Sequence, residues 1–588
     1  CHSTNLKKNY DAKAGTFATR WSEISVGCEA CHGPASGHLT WAEQTDGRDA
    51  NDGKDSKGFM LQLDERRGVS WPMDAAGQAH RSTARLANKE INVCAACHAR
   101  RQQFMEPAAD PSDFGGAFHA SLLEPPLYHV DGQQRDEVYT YGSFLQSKMH
   151  AAGVTCSDCH DPHSGKLRLS GNAVCAQCHA ADRFDTPKHH HHADNSAGAK
   201  CASCHMPTSL YMGVDARHDH AMRIPRPDRT IVLGTPNACT HCHADKPAAW
   251  ARDAIKAWYP APKAGFQKFA EAFARWDLGS PASENDVLGV LKDPATPPIV
   301  QATALQRLST MPSAEAVAFA RNALTMSDAA VRIAAIAVLT NADADTRRSS
   351  LVPLLKDQAR SVRMEAALAL AGDAEHTLAG DERQAFDLAL KEYVDAQLFN
   401  AERPEAQHNL GSLYWRQGKA PEARHAYETA IAIDPNFPAA YVSLAEILRM
   451  QGNEQGAEQQ LRKALDRSPN SAQVLHALGL SLVRQKKLED AVSYLGKAAS
   501  AAPEDERFSY VYAVALHDTG KVAEAIGVLQ RALRRSPNNR DLLWMAASYA
   551  IEVRDYAAAL NYLQSLNRLE PGRPDVQRLL RGLQVPGR

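Results

Sequence analysis

Six times between residues 28 and 243 the chain sets two cysteines three positions apart and a histidine directly after the second. The copies are Cys28-Cys31-His32, Cys94-Cys97-His98, Cys156-Cys159-His160, Cys175-Cys178-His179, Cys201-Cys204-His205 and Cys239-Cys242-His243. The chain opens on Cys1-His2, which reads as the end of a seventh copy, and all 13 cysteines are then used. Two thiols at this spacing can add to the two vinyl groups of one haem. The next histidine then sits under the iron as its proximal ligand, and Cys-x-x-Cys-His is the sequence mark of c-type haem attachment. Paired cysteines also build zinc sites, but zinc has no need of a histidine directly after the second cysteine in every copy. The pattern therefore predicts at least seven covalently bound haems, with His2, His32, His98, His160, His179, His205 and His243 as proximal ligands.

A haem iron takes a sixth ligand. A second histidine makes a low-potential carrier, methionine raises the potential, and an open position permits substrate chemistry. Thirteen further histidines precede residue 244 and only five follow, enough for a second histidine on every iron. His163, in Asp161-Pro162-His163, sits just past one motif where it can reach a neighbouring haem, and it is the first choice for a distal ligand. One or two of His189–His192 are expected to ligate, whereas His241 lies inside an attachment loop and is expected to be exposed. Met149, Met206, Met212 and Met222 are axial ligands in type, though methionine is more often packing. With about 36 residues per motif, the front cannot wrap each haem in its own apolar core. The macrocycles would pack on one another and on short helices and loops, consistent with the Gly/Pro/Asp-rich stretches 106–116 and 223–228.

The elements that must position these residues divide the chain sharply. All cysteines lie by residue 242, and the remainder is cysteine-free. A formal net charge of −2 over 588 residues provides no field for nucleic acid or an acidic membrane. There is no run of about 18 apolar residues, hence no expected transmembrane segment. No secretory signal opens the chain, whose first residues look like a broken motif.

The stretches CHSTNLKKNY, VGCEACHGPASGH, YHVDGQQRDEVYTYGSFLQSKM, GVTCSDCHDPHS, CASCHMP, RHDHAMRIPRPD and GTPNACTHCHADK carry a resemblance beyond Cys-x-x-Cys-His. The front is similar to the multihaem c-type cytochromes related to the tetrahaem electron carrier of ammonia oxidation, in the form fused to tetratricopeptide repeats. The resemblance implies electron transfer, bis-histidine haems and a periplasmic or extracellular location. It also implies that an N-terminal stretch, with a signal peptide and room for another haem, is missing before Cys1. Carried onto this sequence, it supports His38, His129, His163, His189, His190, His192 and His220 as distal ligands. It leaves open which histidine serves which iron.

Behind the front, residues 247–259 and 264–277 read as connector helices, and Phe266, Phe269, Phe273 and Trp276 share one apolar face. The segments VQATALQRL, VRIAAIAVL and VRMEAALAL begin at Val300, Val331 and Val362, a 31-residue repeat that resembles HEAT helix pairs at a shortened period. From Pro404 the period is 34, the tetratricopeptide length. Pro435, Pro469, Pro503, Pro537 and Pro571 keep it, as do Ala423, Ala457, Ala491, Ala525 and Ala559. Ala389, Tyr393 and Ala396 extend it backward as a half repeat.

The sequence thus predicts a mainly α protein: a haem-packed, loop-rich cytochrome domain over 1–246, a helical connector over 247–285, HEAT-like repeats over 286–380 and a tetratricopeptide solenoid over 381–588. The expected function is electron transfer, with the solenoid docking a redox partner or another subunit. Two other readings stay open: a reductase of a small nitrogen or sulfur oxyanion with one open haem, and a subunit of an extracellular haem filament. The back half carries no nucleophile motif and no Cys/His cluster.

Overall fold

The computed structural model describes residues 2–45, 56–261, 267–280, 283–310, 312–372 and 374–583. Cys1 and Phe266, both singled out above, lie outside the described residues. The fold is mainly helical, and its backbone packs into two units. One comprises Cys1–Ala274, Val287–Leu370 and Ala379–Tyr393; the other comprises Arg275–Asp286, Ala371–Leu378 and Val394–Arg588. Boundaries drawn by repeat period therefore differ from boundaries drawn by packing, which groups the HEAT-like helices with the Cys/His-rich front.

In the first unit, the front has short helices and, among the described residues, four two-stranded antiparallel hairpins. Three hairpins grow directly out of attachment motifs. Arg101–Gln103 pairs with Phe118–Ala120 just after His98, His160–Asp161 pairs with Lys166–Leu167, and Thr208–Tyr211 pairs with Asp215–His218 just after His205. The apolar clusters here are small: Ala95, Ala99, Phe114, Ala117 and Phe118 form one, and Ile91, Phe144 and Val154 another. Met149 and Met222 pack on the second, so two of the candidate methionine ligands serve as core.

The HEAT-like helices Pro298–Leu308, Ala329–Thr340 and Arg360–Leu370 contain the three repeat segments. Val300, Val331 and Val362 are all fully buried. These helices wall the front. Buried Thr303 accepts at Oγ1 from the Leu123 amide at 3.2 Å, and Arg360 donates to the Gly116 carbonyl at 3.1 Å. The connector helices span Ala248–Trp258 and Ala270–Asp277.

The second unit is a run of antiparallel helix pairs, from Pro404–Arg416 with Ala420–Ile433 to Arg540–Glu552 with Tyr556–Leu569, ending in Pro574–Leu583. The periodic alanines are at most 1% exposed, because the partner helix packs directly on them. Gly411 and Gly479 make the approach possible: a Cβ on Gly479 would lie 2.6 Å from Leu495 Cγ, and one on Gly411 2.5 Å from the Tyr427 ring.

A further 34-residue register emerges between the paired helices. Gly418, Gly452, Lys486, Gly520 and Arg554 all have φ between +60° and +79°. A left-handed residue there closes the turn, and for a residue with a Cβ it costs roughly 1–2 kcal/mol. Lys486→Gly is therefore expected to stabilise the second unit, by about 1 kcal/mol once the extra freedom of glycine in the unfolded chain is deducted. Gly452→Lys should cost a similar amount. Urea midpoints of the two variants, moving in opposite directions from wild type, would check this.

Candidate haem-binding site

Each attachment motif folds as about one helical turn. The histidine amide donates to the carbonyl of the first cysteine in Cys28/His32 (3.0 Å), Cys175/His179 (3.0 Å) and Cys239/His243 (2.9 Å), and the same bond closes Cys156/His160. Residues i, i+3 and i+4 lie on one face of such a turn, so both thiols and the imidazole are presented to one side. The described cysteines form no disulfides.

Successive turns are pinned to one another by polar contacts. Thr155 and Asp158 make a capping box over the third motif, and Glu90, on the helix of the second motif, accepts from Ser157 N at 2.5 Å and Ser157 Oγ at 2.7 Å. Asn172, at the start of the fourth motif, accepts from the Cys201 amide of the fifth at 3.0 Å and donates to the Ala199 carbonyl at 2.9 Å. The thiols follow the same order. Cys31 lies near Cys94, Cys94 near Cys156, Cys159 near Cys178, Cys175 near Cys201, and Cys204 near Cys239 and Cys242. The six motifs neighbour one another in space in the order in which they occur in the chain.

Four proximal histidines face a second imidazole at nearly one separation. The ring centroids of His32 and His163 are 6.3 Å apart, those of His160 and His220 6.3 Å, those of His205 and His189 6.2 Å, and those of His243 and His192 6.2 Å. That is too far for ring contact. Two imidazoles bound to one metal from opposite sides have centroids about 6 Å apart, from roughly 2 Å of bond and roughly 1 Å from nitrogen to ring centre on each side. Among the described residues, no three His, Cys, Asp or Glu side chains converge as a tetrahedral zinc site requires. The residues present thus fit haem better than zinc.

The electrostatics suit ligation, which needs neutral imidazole. Burial holds His160, His205, His220 and His189 below the usual imidazole range, with neighbouring His205 adding to the effect at His189. A carbonyl oxygen can only accept, so a ring nitrogen beside one must carry the proton. His205 Nδ1 donates to the Arg223 carbonyl at 2.6 Å, His220 Nδ1 to His218 at 2.8 Å and His192 Nδ1 to His190 at 2.5 Å. Each leaves Nε2 bare. The carbonyl partner of His205 is itself set by a buried network. The Arg223 side chain donates to the Asp131 carbonyl (2.8 Å) and Gln146 Oε1 (3.1 Å) and pairs with Asp219 at 3.3 Å.

The other candidates are placed differently. His38 stacks on Phe59 at 4.0 Å and donates from Nδ1 to the Lys57 carbonyl at 2.7 Å. His129 is half-buried and held low by desolvation, and His190 accepts at Nδ1 from the His192 amide. His2 is exposed. Burial lowers His98 and His179, and Phe184 meets the His179 ring edge-on at 5.8 Å. Among the described residues, the rings of His2, His98 and His179 have no imidazole at the 6.2–6.3 Å separation.

Family models match three parts of the chain. The family model for a doubled CXXCH motif matches residues 149–184, that for HEAT repeats matches 271–371, and that for the tetratricopeptide repeat matches 408–472 and 476–540. No curated protein matches the chain. Among solved structures, Pseudomonas aeruginosa pilF is 25% identical, over 31% of this chain and 82% of its own, at a TM-score of 0.27. PilW, described as a widely conserved type IV pilus biogenesis factor, is 17% identical over 38% and 99%, at 0.29. YrrB, described as a TPR protein with an unusual peptide-binding site, is 19% identical over 31% and 94%, at 0.26. The front thus carries a haem-attachment motif pair, and the back carries repeats of a kind that bind other proteins.

Sequence reasoning missed the residues that hold these imidazoles. Arg223 and Tyr259 lay outside the candidate set, and so did Trp250, whose ring lies 4.8 Å from His243. The signal was the aromatic run Trp250, Trp258 and Tyr259 directly after the last motif, which a helix-face reading assigns to plain packing.

Proposed function

We propose that the chain is an electron-transfer multihaem cytochrome c. It would carry a haem at each of the six complete motifs and a seventh at Cys1-His2. The reading rests on four imidazole pairs held 6.2–6.3 Å apart across the motifs. They support axial pairs of His32 with His163, His160 with His220, His205 with His189 and His243 with His192. Bound c-type haem supplies a one-electron iron couple, which two imidazoles keep at low potential.

The chain's own residues do the rest. Buried surroundings favour the neutral imidazoles of His160, His205, His220 and His189, carbonyl partners fix which nitrogen is free at His205, His220 and His192, and Glu90 and Asn172 keep consecutive motifs side by side. That order supports relay along the row. The α-solenoid would dock a redox partner or a second copy of the chain. Among the described residues no helix is long and apolar enough to cross a membrane. A periplasmic or extracellular site, and kinship with the tetrahaem carrier of ammonia oxidation, are part of the same proposal.

The test is a haem count on the exported full-length protein, by pyridine haemochrome absorbance and intact mass, with electron paramagnetic resonance for spin state. At least seven thioether-bound haems, mostly low-spin, are expected. A colourless protein, or one holding zinc, would overturn the reading. Carbon monoxide or nitrite binding by the unmodified reduced protein would favour the reductase alternative, and growth of fibres on imaging would favour the filament.

A further inference from the structure

Of the four histidine pairs above, three include a ring anchored at Nδ1 by a backbone carbonyl. His189 differs from those three rings, because a side chain serves its Nδ1. Tyr259, directly after the helix Ala248–Trp258, brings its hydroxyl to 3.2 Å from His189 Nδ1 and to 2.5 Å from the His189 carbonyl oxygen. The two contacts fix each other's direction. A phenol has one proton to give. The carbonyl can only accept, so that proton goes to it, and toward Nδ1 the phenol oxygen can only accept. Nδ1 must then carry the ring proton, which leaves Nε2 bare in a ring whose centroid lies 6.2 Å from that of His205.

We propose that Tyr259 is a positioning residue for the His189–His205 haem. It selects the metal-binding tautomer of His189 and sets the plane of its ring. This rests on the cytochrome reading above. An acceptor on the far nitrogen of an axial imidazole makes that imidazole a stronger electron donor, which favours the oxidised iron and keeps the potential low. The segment bearing Tyr259 has the surroundings for such a role. Trp258 lies flat on His191, with centroids 4.3 Å apart and planes 9° apart, and Trp250 sits 4.8 Å from His243. A helix without cysteine or histidine thus braces the ligands of two haems. Since the anchor is a side chain, it can be removed without disturbing the backbone, which is not so at the carbonyl-anchored sites.

The experiment compares wild type, Tyr259→Phe and Tyr259→Gln as full-length holoproteins, by haem count and by a redox titration followed by electron paramagnetic resonance. Phe keeps the ring and loses only the hydroxyl. It is expected to keep every haem, to shift one low-spin signal and to move one midpoint to more positive potential. Gln offers both an acceptor and a donor, and should restore the wild-type signal. A Phe variant with full haem count and unchanged spectrum and midpoints would overturn the proposal. Should Phe lose haem, a Gln variant with a full count and the wild-type signal still supports positioning, whereas loss in Gln as well overturns it in favour of packing. A wild-type protein without haem would instead overturn the cytochrome reading.

Discussion

His163→Ala is expected to turn one low-spin haem per chain into one that binds carbon monoxide, with the haem count unchanged. The His163 side chain is 83% exposed, so its loss leaves no cavity and the fold should persist. Its ring lies 6.3 Å from His32, with the planes 8° apart, where the second ligand of the His32 iron would sit. Removing it opens one axial position, and the loss of an imidazole donor should raise that haem's potential. A reduced-plus-carbon-monoxide difference spectrum would show one equivalent more bound than in wild type. His38→Ala is the control: His38 stacks on Phe59 and, among the described residues, faces no motif histidine at this separation, and the variant should bind no more than wild type. Absence of a carbon monoxide adduct in His163→Ala would remove His163 from the ligand set.

Phe273→Ala is expected to cost about 3–5 kcal/mol, the usual range for a buried aromatic cut to a methyl. A domain has roughly 5–15 kcal/mol in total, so the first unit should lie near its unfolding threshold. Phe273 is fully buried, Phe269 packs on it at 5.1 Å, and the Arg307 guanidinium lies 4.2 Å from its centroid. The variant therefore loses packing and a cation–π contact together. The damage should reach the haem ligands. A Cβ on Gly132 would lie 3.1 Å from Phe269 Cζ, so the ring packs on the turn beside Asp131, whose carbonyl binds Arg223, whose own carbonyl anchors His205. Urea unfolding followed by circular dichroism, with haem absorbance read in parallel, should show both signals lost at a lower midpoint. A midpoint within 1 kcal/mol of wild type would contradict the burial argument.

Much of the architecture was legible in the chain because it is periodic. Proline at intervals of 34 ends helices whatever the surroundings, and alanine at the same interval marks where a partner helix must come close. The attachment turns were legible for a related reason: their geometry is local, closed within five residues. The left-handed register through Lys486 and Arg554 was harder to see, since three positions carry the expected glycine and two do not. The helix predicted over 264–277 is observed only as Ala270–Asp277, with 262–266 outside the described residues.

By itself, the sequence determined the cysteine turns, the pool of spare histidines and the repeat periods, all of which depend on neighbours a few bonds or one helical turn away. Only the tertiary structure decided that His163 faces His32 rather than a nearer motif, that Tyr259 holds His189 from 70 residues away, and that the HEAT-like helices pack with the front. Such pairings depend on where short, loop-linked turns come to rest against one another. Contacts between distant segments carry no spacing rule that a linear reading can use.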